Sequence, residues 1–278
     1  MTPDTVDLPD EWREALDRLA RFRRIVVIGA ADAGKSSFIR ALIARSDRLS
    51  LIDLDPGQKM VGPPGTLSVG VAAEEGLRLQ RFRFLGSTSP SNIFQLTRGA
   101  AAVAGAAEPF VANTSGLVAG FGARLQSATI SALRADALVA IGPAEPLAPI
   151  VARHCALPLF SLQPSPLARS KTAAMRRRVR QAACAEALDG AAEIELRGIA
   201  FEPARPVPAG DPHPVCALAD EEPMEIAVLL GVEEDRVRLF ARTPPRVARR
   251  ILLGHMWADT GAEGWKLLDR LSPSWEQG

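Results

Sequence analysis

Residues 24–36 read RIVVIGAADAGKS. A short β-branched run ends in glycine, and GAADAGKS at 29–36 keeps the spacing G-x-x-x-x-G-K-[ST]. Few features restrict a fold more. The pattern needs a buried strand before it and a helix after it, meeting at one edge of a sheet. There, successive backbone N–H groups and a helix N-terminus enclose an anion. Gly29, Asp32, Ala33, Gly34, Lys35, Ser36 and Ser37 are the candidate phosphate-binding residues. Lys35 reaches the β- and γ-phosphates of a nucleoside triphosphate, and the Ser36 hydroxyl ligates Mg²⁺. The alternative is a chance match in a glycine-containing turn. It is opposed by the strand at 24–29 and the helical pattern at 35–46. Lysine is also scarce: Lys35, Lys59, Lys171 and Lys266 stand beside 29 arginines, and one of them occupies the required position.

The same alternation continues along the chain. Strands are expected at 49–55, 77–85, 109–115, 136–142 and 157–163. Helices are expected at 11–23, 91–107, near 125–135, at 147–155 and over an Arg- and Ala-rich stretch at 170–188. Strands alternating with helices predict an α/β P-loop NTPase domain, its mostly parallel sheet covered by helices on both faces. Prolines then cluster at 203–214, and short β-like runs follow. The expected division is a P-loop domain over 1–198 and a small, mainly β domain over 199–278. A chain of 278 residues, 47% hydrophobic, supports a sizeable core.

A net charge of +1 creates no global field for nucleic acid, so any basic site is local. Cys155, Cys184 and Cys216 are odd in number and scattered. They read as reduced thiols of an intracellular protein, and His154, His213 and His255 add no ligand pattern. The acidic N-terminus lacks the apolar core of a secretion signal. The apolar stretch 99–122 is interrupted by Glu108, Pro109 and Asn113 and reads as core, not as a membrane span. A cytoplasmic location is expected.

At 53–58 the sequence DLDPGQ closes an apolar run. Asp53 and Asp55, two apart on a strand, would share one face at the carboxyl edge of the sheet, where ligands bind. Phosphoryl transfer needs a carboxylate near the metal and an acceptor for the proton of the attacking hydroxyl. A DxD pair supplies both. Equally, it supplies one structural and one metal-linked acid in a plain ATPase.

GAADAGKSSF, DLDPGQ and PPGTLS, followed in order by FLGSTSPS (84–91), NTSGLVAGFGARL (113–125) and ARSKTAAMRRRVR (168–180), resemble the Clp1/Grc3 family of polynucleotide 5′-hydroxyl kinases. RTPPRVARRILLGHM resembles that family's small β-rich tail domain. The resemblance implies a kinase that moves the γ-phosphate of ATP or GTP onto the 5′-hydroxyl of RNA or DNA. It implies Asp55 as general base, Asp53 in support of the metal with Ser36 and Asp55, and Gln58 at the metal shell or γ-phosphate. Asn113, Thr114, Ser115, Gly116 and Leu117 would form a substrate clasp. Arg169, with Arg176 or Arg177, would form an arginine lid; an Arg-rich helix is otherwise a solvated face. Many relatives carry Trp after the clasp glycine, where this chain has Leu117, so base contact is weaker or different. Arg98 and Arg124 are candidates for a local basic groove. Phe94 and Phe121 read first as core aromatics and second as base-stacking groups. Two other functions fit: an ATP-holding scaffold in RNA processing, and a P-loop ATPase or GTPase switch acting on proteins. No membrane partner is expected, and protein partners are unknown from sequence.

Overall fold

The structure, a computed structural model, describes residues 8–46, 48–90, 92–105, 107–166, 168–202, 212–221, 223–242, 248–261 and 264–268. The chain divides into two compact units. The first holds residues through Asp55, then Leu67–Arg81 and Pro90–Thr172; the second holds Pro56–Thr66, Phe82–Ser89 and residues from Ala173 onward.

Through residue 162 the elements are α1 (Asp10–Leu19), β1 (Arg24–Gly29), α2 (Lys35–Ile43), β2 (Ser50–Asp53), β3 (Thr66–Ala73), β4 (Gly76–Phe84), α3 (Ile93–Ala104), β5 (Phe110–Asn113), α4 (Phe121–Ala132), β6 (Ala137–Ile141), α5 (Ala144–Arg153) and β7 (Leu159–Leu162). The sheet order is β4-β3-β2-β5-β1-β6-β7. β1 lies between β5 and β6 and runs parallel to both, β2 joins β5 in parallel, and β7 joins β6 in parallel. These strands are continuous apolar runs because both faces are covered: Ile25–Ile28 are wholly buried.

β3 is antiparallel to β2, and only Glu74 and Glu75 separate it from β4. Such a short connection permits only an antiparallel pair. The sheet is therefore mixed, a parallel core with a hairpin along one edge. β3 has no counterpart in the sequence reading, which passed from the Pro/Gly segment at 62–65 to the strand at 77–85. Its residues Thr66–Gly70 are buried on both faces, so no solvated side marks them.

The β1–α2–β2 connection runs to one side of β1, whereas those through α3, α4 and α5 run to the other. Right-handed crossovers place α2 on one face and α3–α5 on the opposite one. α1 packs beside α2 and against β7, and α4 packs between α3 and α5. Every parallel strand thus ends at the edge that carries the phosphate loop.

The second unit contains α6 (Ala173–Ala187), β8 (Ala192–Arg197), β9 (Ala200–Glu202), β10 (His213–Ala219), β11 (Pro223–Glu233), β12 (Arg236–Ala241), β13 (Arg250–Gly261) and β14 (Gly264–Leu268). Its sheet order is β14-β13-β10-β11-β12-β8, with β9 parallel to β13. Cys216, Leu218, Ala227, Leu229, Val237, Leu239 and Ile251 form its core. The Gln181 side-chain amide donates to Leu267 O (2.6 Å) and accepts from Leu267 N–H (2.9 Å), tying α6 to β14.

This division does not coincide with the 198/199 boundary read from sequence. β8 pairs with β12 along its length, so the second sheet claims residues before 198. The segment around Gly86 also belongs there: a Cβ on Gly254 would lie 2.3 Å from the Gly86 Cα, and His255 N–H donates to Gly86 O (2.6 Å). Residues 203–211 of the proline cluster, 243–247 of the tail motif, Ser91 and the first seven residues lie outside the described residues. Among the described residues no helix is long and apolar enough to cross a membrane.

Candidate active site

The phosphate loop is fixed from below by contacts that leave no room for side chains. A Cβ on Gly29 would lie 2.4 Å from Ile141 O at the end of β6. Gly34 has φ +99°, and its Cβ would meet the Trp12 ring at 3.0 Å. Trp12 is itself wholly buried. It stands edge-on to Phe38, with ring centroids 5.3 Å apart, and donates from Nε1 to Gln163 O at 3.0 Å. The N-terminal helix, an amphipathic segment in sequence, thus braces the loop. Asp32 takes a left-handed φ of 62°, which a short polar side chain tolerates.

Lys35 opens α2 and is 8% exposed. Its ammonium donates to Gly29 O (2.8 Å) and Ala30 O (2.9 Å), carbonyls of its own loop. Burial lowers its pKa to about 8; the negative charges of Asp55 and then Asp32 oppose that shift, and Lys171 adds to it. Asp55 is thus the carboxylate whose field acts most on Lys35. The hydroxyl-bearing Ser36 is half-buried in the first turn of α2.

The two acids of DLDPGQ occupy different environments. β2 ends at Asp53, which is 0% exposed. Its Oδ1 accepts from Asn113 Nδ2 at 2.9 Å, and the Asp55 N–H approaches the same oxygen at 3.4 Å. This i to i+2 contact turns the chain out of the strand, so strand alternation does not extend to Asp55, which is half-buried. Asp53 and Asn113 are register neighbours at the carboxyl ends of β2 and β5.

Asn113 is 3% exposed, and its Oδ1 has no hydrogen-bond partner. An unpaired buried acceptor beside a buried carboxylate, with Asp55 and the Ser36 hydroxyl in the same unit, is a set of hard oxygen donors. That chemistry suits Mg²⁺, which takes few protein ligands and completes its shell with phosphate and water. Among the described residues no cluster of His, Cys, Asp and Glu forms a metal site of its own. Cys155 is exposed, whereas Cys184 and Cys216 are buried, and burial pushes their thiols up to about 11 and about 12.

The clasp residues follow β5. Thr114 Oγ1 donates to Val27 O at 2.9 Å. Gln126 on α4, 1% exposed, donates from Nε2 to Ser115 O (2.8 Å) and Leu117 O (3.2 Å). The sequence reading passed over Gln126; a lone amide beside buried Leu125 was its only signal. A Cβ on Gly116 would lie 2.6 Å from Ala31 N, so the clasp and the phosphate loop touch backbone to backbone. Leu117 is 46% exposed at the turn. Phe94 and Phe121 are exposed as well, contrary to their first reading as core, and the Arg98 guanidinium lies over the Phe94 ring, 5.3 Å from its centroid.

Arg169 is exposed on the segment after β7. Arg176 and Arg177 lie on α6, in the second unit. Gln58, in that same unit, donates from Nε2 to Gly57 O (2.9 Å) and Arg176 O (3.3 Å). The first unit therefore brings together Lys35, Ser36, Asp53, Asp55 and residues 113–117, and it also contains the exposed Arg169. The second carries Gln58 with Arg176 and Arg177.

A family model described as mRNA cleavage and polyadenylation factor CLP1 P-loop matches residues 29–189, a span that includes every site residue named above. A polyribonucleotide 5′-hydroxyl-kinase of Pyrococcus furiosus is 30% identical over 194 residues, covering 64% of this chain and 54% of that protein. One from Methanocaldococcus jannaschii is 26% identical over 154 residues, covering 49% and 43%. The chain spans about half the length of these relatives. A solved wild-type Clp1p–Pcf11p complex matches with a TM-score of 0.68 at 14% identity, covering 87% of this chain and 76% of that one. At that identity the likeness concerns the fold. It also corrects the expectation that left protein partners unknown: Clp1p, with the same fold, was solved with the specific protein partner Pcf11p.

Proposed function

We propose, from the premise that this chain belongs to the Clp1/Grc3 family, that it is a polynucleotide 5′-hydroxyl kinase transferring the γ-phosphate of ATP or GTP to RNA or DNA. The observation that carries the proposal is the half-buried Asp55, whose charge acts on Lys35 of the phosphate loop. A carboxylate at that point suits removal of the proton from an attacking hydroxyl. The other acid, Asp53, accepts from the Asn113 amide.

In this reading Lys35 leaves the Gly29 and Ala30 carbonyls for the β- and γ-phosphates. Ser36, Asp53 and Asp55 would hold Mg²⁺, with Asn113 Oδ1 a further oxygen donor. The ion, when bound, would neutralise charge on the transferring group. The clasp positions the acceptor end. Asp55 takes the 5′-hydroxyl proton as the new O–P bond forms, and the bond to the β-phosphate bridging oxygen breaks to leave the diphosphate. Arg169 and Arg176 or Arg177 are assigned to the lid on the family resemblance.

The test is incubation with a 5′-hydroxyl oligonucleotide and γ-labelled ATP or GTP across divalent metals. Label on the oligonucleotide is expected, and a 5′-phosphorylated control should take none. A second reading, an ATP-holding scaffold for a protein partner, is favoured by the Clp1p–Pcf11p likeness. Tight nucleotide retention with neither transfer nor hydrolysis would select it.

A further inference from the structure

One carboxylate of the phosphate loop reaches beyond the loop. Asp32 Oδ2 accepts from the backbone N–H of Lys171 at 2.9 Å. The segment that leaves β7 is therefore held against the loop, and its Ser165 N lies 3.9 Å from where a Gly34 Cβ would be. Lys171 itself is exposed. Its charge is felt at Lys35, where it opposes the protonated form. A protein with four lysines thus sets two of them around one loop. In the absence of an anion the two positive charges repel each other. A bound triphosphate would attract both and offset that repulsion.

We infer that Lys171 is a second phosphate-binding cation of the nucleotide site, set in place by the hydrogen bond from its backbone to Asp32. The inference rests on the nucleotide-binding reading of the loop and adds a residue to it. Lys35 approaches the phosphates from the base of the loop. Lys171 approaches from the post-β7 segment, so it responds to the number of phosphates and not to the base or sugar.

The test is equilibrium binding of ATP, ADP and AMP to the full chain with Lys171→Met and Lys171→Arg, alongside urea unfolding of each. The side chain is exposed, so both variants should unfold at the wild-type midpoint. The expected result for Lys171→Met is a loss of about fivefold to tenfold for ATP and ADP with AMP unchanged, as for a charge-assisted phosphate contact. Lys171→Arg should restore binding to within about twofold of wild type, because guanidinium also binds phosphate. Unchanged ATP affinity in Lys171→Met overturns the inference, and so does an equal loss for all three nucleotides. If the wild-type chain binds no nucleotide, the phosphate-loop reading fails, and Lys171 falls with it. That outcome is distinct from a wild type that binds while the variant matches it.

Discussion

At the scale of single residues, the two acids of DLDPGQ separate by environment. Asp55→Asn should lower turnover by about 10²–10⁴ while nucleotide affinity holds within about twofold; kcat and a direct binding curve check this. An equal loss in both would assign Asp55 to the metal alone. Asp53→Asn places an amide opposite the Asn113 amide and should cost about 1–3 kcal/mol in urea unfolding. Lys35 carries a pH signature. Its folded pKa of about 8 lies below the ordinary 10.5, so above pH 8 the unfolded chain holds the extra proton. Stability from this group therefore rises between pH 8 and 10.5, by on the order of 3 kcal/mol. The buried thiols act oppositely above their ordinary 9.0. The difference between wild type and Lys35→Met, measured by urea unfolding without nucleotide, isolates the lysine. A flat difference from pH 7.5 to 10 would refute the assignment. Lys35 and Asp55 were legible because each motif specifies residue types. Gln126 was not, because its importance lies in carbonyls that only the folded loop presents to it.

At the scale of elements, β1, β5 and β6 could be read because buried parallel strands must be apolar throughout. The exit of β2 could not: Asp53 caps the Asp55 N–H and ends the strand two residues earlier than its apolar pattern predicts. Pro146 hid the first turn of α5, whose described start is Ala144, although a proline at the entry of a helix costs little. The clasp is held to α4 by Gln126 and to the phosphate loop through Gly116. Gln126→Leu leaves the Ser115 and Leu117 carbonyls without their donor. It should raise the oligonucleotide KM several-fold, corresponding to about 1 kcal/mol, with a smaller effect on nucleotide binding. Gly116→Ala has no such selectivity. With 2.6 Å to the Ala31 nitrogen, it must displace the phosphate loop, and ATP affinity should fall at least about tenfold. Titrating both ligands on both variants separates the two cases.

At the scale of the whole molecule, the change of class from α/β to mainly β was visible in composition, but the membership of each unit was not. Pro56–Thr66 and Phe82–Ser89 come from the first half of the sequence and belong to the second unit. Nothing in their composition announces that. The information resides in partners far along the chain, such as Gly254 for Gly86 and Met256 for Gly65. A chain cut after residue 198, the boundary that composition recommends, would keep these segments and lose the strands they pack with. It should lack a cooperative urea transition and bind nucleotide poorly. A sharp transition with full binding would restore the compositional boundary.

The glycine that sets the clasp on the phosphate loop has a metrical consequence. Two backbones in direct contact leave no side chain whose rotamer could lengthen or shorten the gap. In the proposed kinase, a strand gripped on one side would thereby be gauged against the triphosphate on the other with a fixed stand-off. Such a caliper would accept a terminus of the right reach and pass over alcohols along the interior of a chain, without reading a single base.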